Sequence, residues 1–118
     1  MEQLWEKARD IGRMVAQSDE YKALRRANER LADDRATVAG INRLGELQDG
    51  IAQALQGGQE PDDAEREEFE RLATQVQASG AYQAFEAARS NFDRLMMRID
   101  EEIAKGIEAG EQSRIILT

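Results

Sequence analysis

The 118-residue sequence contains no cysteine, no histidine, one proline and only 5% aromatic residues. Without cysteine the chain has no disulfide and no thiolate-held metal or iron–sulfur site. Without histidine it lacks the commonest general base and metal ligand, which excludes Ser–His and Cys–His nucleophiles and Glu-x-x-His di-iron sites. We therefore expect a protein that is not an enzyme and carries no cofactor.

The sequence also lacks any apolar run near the ~20 residues needed to cross a bilayer. Its start, MEQLWEKARD, is charged and amphipathic, unlike a signal peptide. The formal net charge of −8 disfavours direct contact with nucleic acid and with anionic membrane surfaces. These features predict a cytoplasmic protein that neither binds nucleic acid directly nor inserts into a membrane.

The strongest pattern lies in residues 79–107. Phe85, Phe92 and Ile99 are spaced by seven. Further apolar residues fill the same face at three- and four-residue steps: Tyr82, Ala88, Leu95, Ile103 and Ile107. This spacing predicts one amphipathic helix, roughly 40 Å long at ~1.5 Å per residue. Such a length suits a bundle or a helix-to-helix interface.

Other helical segments precede this one. The apolar spacing predicts a helix over 2–17, and Ser18 is either the cap of a second helix or a point within one bent helix. A third helix is predicted over 35–56, a loop over 57–63, and a shorter helix after it. The sequence therefore predicts an all-α helical bundle of about four to five helices, with one domain over 1–110 and an apolar C-terminal tail over 111–118.

The third predicted helix has an unusually wide apolar face, which Leu47 extends further. Such a face usually contacts two neighbours, in the same chain or in a second subunit. The segment also contains Gly40, Gly45 and Gly50, and each glycine in a helix interior costs about 1 kcal/mol relative to alanine. The glycines indicate either a locally weak helix or a kink used for partner binding.

Carboxylates are the only candidate metal ligands. The pairs Glu65-x-x-Glu68 and Glu67-x-x-Glu70 resemble the first half of the magnesium motif of MazG-like nucleotide pyrophosphatases. The second half is missing, because Glu86 is followed at the third position by Arg89. We interpret the acids as a solvated helix face, and a carboxylate-only metal-dependent hydrolase stays a distant alternative.

Large apolar residues at the edges of the stripes are the candidates for a partner or oligomer interface. Trp5 lies about 100° from Leu4 on the first helix, and Met97 about 120° from Phe85 on the last. The full candidate set is Trp5, Leu47, Phe85, Phe92, Met96 and Met97.

Several segments, in order, resemble the YlbF/YmcA family of small helical bacterial proteins, including its YheA-like members. They are SDEY at 18–21, ANERLADD at 27–34, LQ at 47–48, GGQEP at 57–61 and the AYQAFEAARSNF segment that enters the final helix. The match runs over about residues 4–107. The chain departs from the family at Asp34-Arg35 and Ser79-Gly80, where members often have Asp-Pro and Asn-Pro.

The resemblance implies an all-helical regulator that self-associates or pairs with paralogues. It also implies a role in competence, biofilm or sporulation control through a complex that modulates ribonuclease Y and mRNA processing. The family's iron–sulfur role does not carry over, because this chain has no cysteine. We expect a non-catalytic adaptor that forms at least a homodimer through the terminal helix and the wide face of the third helix. The alternative is a structural or chaperone-like helical oligomer.

Overall fold

A computed structural model describes the backbone of residues 1–117 and the side chains of residues 1–112. It contains five helices: α1 (Glu2–Ala16), α2 (Asp19–Asp33), α3 (Arg35–Gln56), α4 (Asp63–Ala78) and α5 (Gly80–Leu117). No strand occurs in this part of the chain, so the predicted all-α class with a long C-terminal helix is confirmed. The predicted apolar tail falls almost entirely outside the residues with described side chains.

The chain divides into two compact units. Unit 1 consists of residues 1–24 and the part of α5 from Ala88 onward, and unit 2 consists of Arg25–Ala87. Helices α2 and α5 therefore each contribute residues to both units. Within residues 1–117, no helix combines the length and apolar character that a membrane crossing requires.

Ser18 lies between α1 and α2, so this part of the chain forms two helices and not one bent helix. Its hydroxyl donates to the carbonyl of Val15 (2.6 Å) and accepts from the backbone N–H of Tyr21 (3.1 Å). One side chain thus satisfies a carbonyl at the end of α1 and an amide at the start of α2. Asp19 and Glu20 in the first turn of α2 add favourable negative charge at its N-terminus.

The starts of α3 and α5 meet within unit 2. Asp34 caps α3, because its carboxylate accepts from the Thr37 N–H (3.1 Å) and the Thr37 hydroxyl (2.8 Å). Ser79 caps α5, where its hydroxyl oxygen accepts from the Tyr82 N–H (3.2 Å) and donates to the same Asp34 carboxylate (3.4 Å). These hydrogen bonds, those from Thr37 above all, hold the pKa of Asp34 below its ordinary value.

Helices α3 and α4 pack against each other to form the core of unit 2. Leu47 is 3% exposed, and Val76 is also buried. Gly40 lies at the closest approach, since a Cβ added there would sit 3.1 Å from Cγ2 of Val76. Gly40 therefore marks a close contact between α3 and α4. Gly45 has nothing near its missing Cβ.

The loop between α3 and α4 follows from its residues. Gly58 adopts a positive φ of 72°, a backbone conformation that glycine accepts without a steric penalty. Pro61 is buried, and Asp62 caps α4 by accepting from the Ala64 N–H (3.1 Å). The predicted loop over 57–63 thus ends one residue earlier, where α4 begins at Asp63.

Gly45→Ala should stabilise the protein by about 1 kcal/mol, because it removes the entropy cost of a helical glycine without a clash. Gly40→Ala removes the same entropy cost, but its new Cβ would crowd Val76, which would have to move. The Gly40→Ala variant should therefore be less stable than Gly45→Ala. Thermal unfolding followed by circular dichroism measures both variants. Equal stabilisation by the two substitutions would contradict the close approach.

Asp34→Ala should lower the melting temperature at pH 7, because the Thr37 and Ser79 donors lose their acceptor. The folded-state pKa of Asp34 is depressed, so its contribution is complete above the unfolded value of about 3.9 and is lost as pH falls through the folded value. The difference in melting temperature between Asp34→Ala and the parent should therefore shrink as the pH is lowered from 5 to strongly acidic values. Asp33→Ala, an exposed neighbour, is the control, and a pH-independent difference at Asp34 would refute this role.

Candidate interaction surface

Unit 1 has almost no buried core. Helix α1 is strongly amphipathic, with Leu4, Ala8, Ile11 and Val15 on one stripe, yet none of its residues is buried. Among the described side chains of unit 1, only Ala88 is buried. An isolated helix of this length is marginal in water, so the apolar stripe of α1 requires a surface to pack against.

Within unit 1, residues of α1 and α5 line one apolar cleft. The rings of Tyr21 and Phe92 contact with centroids 5.9 Å apart and planes tilted by 56°. Further towards the N-terminus, Ile11 and Val15 of α1 and Ile99 and Ile103 of α5 line the same cleft.

The cleft between α1 and α5 has a volume of about 500 Å³. It is lined by the apolar side chains of Ile11, Met14, Val15, Leu95, Ile99 and Ile103. The charged residues at its rim, Arg98 and Glu102, pair with each other at 2.9 Å. The cleft therefore offers an apolar surface bordered by paired charges, which suits apolar side chains of a protein partner.

Large apolar side chains of unit 1 are exposed on both helices. Met14 is 74% exposed, Met97 60% and Trp5 50%. The other large apolar residues of unit 1 that are exposed are Met1, Leu4, Ile11, Tyr21, Met96, Ile103 and Ile107. All but one of the exposed large apolar residues lie in unit 1, and such a concentration is typical of an interaction surface.

A second groove, of about 530 Å³, lies between the start of α2 and α5. It is more polar, because Asp19 and Glu20 line it opposite Arg94 and Arg98. Both signs of charge are therefore present in the groove, and its surface gives no reason to expect a ligand of either charge.

The six predicted interface residues fall into both units. Trp5, Phe92, Met96 and Met97 lie in unit 1, where Phe92 is half-buried against Tyr21. Phe85 is half-buried in unit 2, and Leu47 is a core residue of unit 2. The wide face of α3 that Leu47 extends is thus used at least partly within the chain, where α3 packs on α4.

Sequence reasoning missed Met14 and the residues that line the cleft. The spacing of apolar residues predicted a stripe on α1 and a stripe on α5. It could not predict that the two stripes share a cleft, because periodicity shows which face of a helix is apolar and says nothing about its neighbour. Only the fold brings Ile11 and Ile99 to one cleft.

The acidic residues of α4 take part in a different interaction. Glu68 accepts from Arg43 of α3 in a two-pronged ion pair, at 2.8 Å from Nε and 3.1 Å from a terminal nitrogen. Arg43 holds the pKa of Glu68 below its ordinary value. No group of three or more carboxylates close enough to hold a metal ion occurs among the described residues. In this structure Glu68 joins two helices.

The fold and surface describe an all-helical protein with a closed helical core in unit 2 and an open apolar face on unit 1. The chain belongs to the YlbF/YmcA family, since the family model "Control of competence regulator ComK, YlbF/YmcA" matches residues 4–108. The family is one of regulatory proteins. No curated protein and no solved structure gives a significant match to the chain.

Proposed function

We propose that this protein is a non-catalytic regulatory adaptor that acts in the cytoplasm by binding other proteins. The observation that carries the proposal is the open apolar face of unit 1, formed by α1 and the adjoining part of α5. A face of this kind is stabilised when a partner removes it from water, at about 25 cal/mol per Å² of apolar area. The regulatory character of the family agrees with this mode of action.

The first partner we propose is a second copy of the chain. Helix α1 buries none of its residues within one copy. A partner that covers α1 would supply the stabilisation that a short helix lacks by itself.

We further propose that the assembled protein contacts a paralogue or ribonuclease Y and so influences mRNA processing. This step rests on the family resemblance alone. Because the chain has no cysteine, it would supply no thiolate ligand to an iron–sulfur cluster in such a complex.

Met97→Glu should weaken self-association, because it places a charge on the open face. The matched control is Leu55→Glu, which alters a side chain of similar exposure (61% against 60%) on α3 of unit 2. Light scattering after gel filtration measures the mass, and the parent should exceed the 13.3 kDa of one chain. An unchanged mass for Met97→Glu, or an equal loss with Leu55→Glu, would contradict the assignment.

Purified protein should bind purified ribonuclease Y or a purified paralogue from the same host at a fixed stoichiometry. Sedimentation velocity of the mixture measures this, with Met97→Glu as the variant that loses the assembled form. Weak binding to many unrelated proteins, together with suppression of their aggregation, would instead support the chaperone-like alternative. Failure to bind either candidate would confine the adaptor proposal to self-association.

A further inference from the structure

All four methionines of the chain lie in unit 1, and unit 2 contains none. Met1 precedes α1, Met14 lies in α1, and Met96 and Met97 lie in α5. Each of these side chains is exposed, with exposed fractions from 37% to 86%. Because the sequence has no cysteine, the methionine thioethers are its only sulfur atoms. Every sulfur atom of the chain is therefore in the unit that carries the open apolar face.

Oxidation of methionine converts an apolar side chain into a polar one. Hydrogen peroxide transfers one of its oxygen atoms to the thioether sulfur: the O–O bond breaks, an S–O bond forms, and the other oxygen leaves as water. The sulfur is oxidised by two electrons, and the peroxide is reduced by the same two. The change is reversible, because methionine sulfoxide reductases remove the added oxygen as water with two electrons from a dithiol.

Met14 and Met97 are the two helical methionines with the most exposed side chains. Met14 lines the apolar cleft together with Ile11 and Val15 of the same helix, and Met97 is one of the predicted interface residues. Both side chains are more than half exposed in one copy, so a sulfoxide there stays in water and costs the fold little. A partner that covers the face removes that water, and burying a polar group without a hydrogen-bond partner is unfavourable.

We infer that oxidation of Met14 and Met97 to methionine sulfoxide is a reversible switch that releases partners from the open apolar face of unit 1. This inference rests on the proposed function and adds its regulation. The oxidised chain stays folded in unit 2, because the core around Leu47 and Val76 contains no sulfur. Peroxide therefore acts on association, and it reaches the two sulfur atoms while the face is uncovered.

Oxidation of the purified chain with hydrogen peroxide tests the switch. Peptide mass spectrometry locates the added oxygen atoms, and circular dichroism should show unchanged helix content. Oxidation should raise the dissociation constant for self-association, or for a bound partner where the parent is monomeric, at least about tenfold. Treatment with methionine sulfoxide reductases for both sulfoxide epimers and a dithiol should restore the parental dissociation constant.

The double variant Met14→Leu/Met97→Leu removes both sulfur atoms and keeps apolar side chains of similar volume. It should associate like the parent and keep its dissociation constant after peroxide treatment. The matched control adds Leu55→Met, which places a thioether on α3 of unit 2 at a position as exposed as Met97 (61% against 60%). Oxidation at that position should leave association unchanged. A peroxide effect on the double variant as large as that on the parent would assign the sensitivity to another side chain and overturn the inference.

The rates of oxidation test whether the same two side chains are covered on association. In protein concentrated enough to assemble, Met14 and Met97 should oxidise more slowly than in dilute protein, because the covered face excludes peroxide. In the single variant Leu55→Met, the introduced thioether should oxidise at the same rate at both concentrations. Equal rates for Met14 and Met97 at both concentrations, in protein that does assemble, would contradict their place in the interface.

The outcomes separate this inference from the proposed function. Loss of association on oxidation, its recovery on reduction and its absence in Met14→Leu/Met97→Leu support the switch. An oxidised parent that associates as tightly as the reduced parent, or that loses its helix content, overturns the switch and leaves the proposed function standing. A parent that neither self-associates nor binds either of the partners proposed above overturns both.

Discussion

Apolar side chains on α1 and on the second half of α5 have too few neighbours within one copy of this protein. The two helices line one shared cleft, and many of their large apolar side chains stay exposed. This shortage accounts for the absence of buried residues in α1 and for the exposure of Trp5, Met14 and Met97. Burial in unit 2 is different, because α3 and α4 close around Leu47 and Val76.

The contrast between the units has a simple chemical origin. Unit 2 uses small residues, Gly40, Ala27 and Ala81, where its helices come close, so that Leu31, Leu47 and Val76 are buried. In unit 1 the exposed apolar side chains of α1 and α5 include methionine, isoleucine and tryptophan. Methionine and tryptophan are common at surfaces that pack against a second molecule.

The helices themselves could be predicted from the sequence, because their signals are local. Apolar spacing located α3 over its observed range, and Ser18 and Asp34 are residues whose short side chains favour helix starts. Long-range features could not be read this way. The Asp34 carboxylate caps one helix and also accepts from Ser79, which lies 45 residues further along the chain. The close approach that requires a small residue at Gly40 involves Val76 of another helix. For the same reason, spacing alone could not show that Leu47, one of the predicted interface residues, is buried within unit 2.

The central claim, that another molecule completes the packing of unit 1, is tested most directly by hydrogen exchange at a series of protein concentrations. Amides of α1 and of residues 95–107 should exchange rapidly in dilute protein and gain protection as concentration rises, because association covers their apolar face. Amides of α3 around Leu47 should show the same protection throughout. If α1 is as protected as α3 at the lowest concentration and does not change, the face of unit 1 is stable without a partner and the account is contradicted.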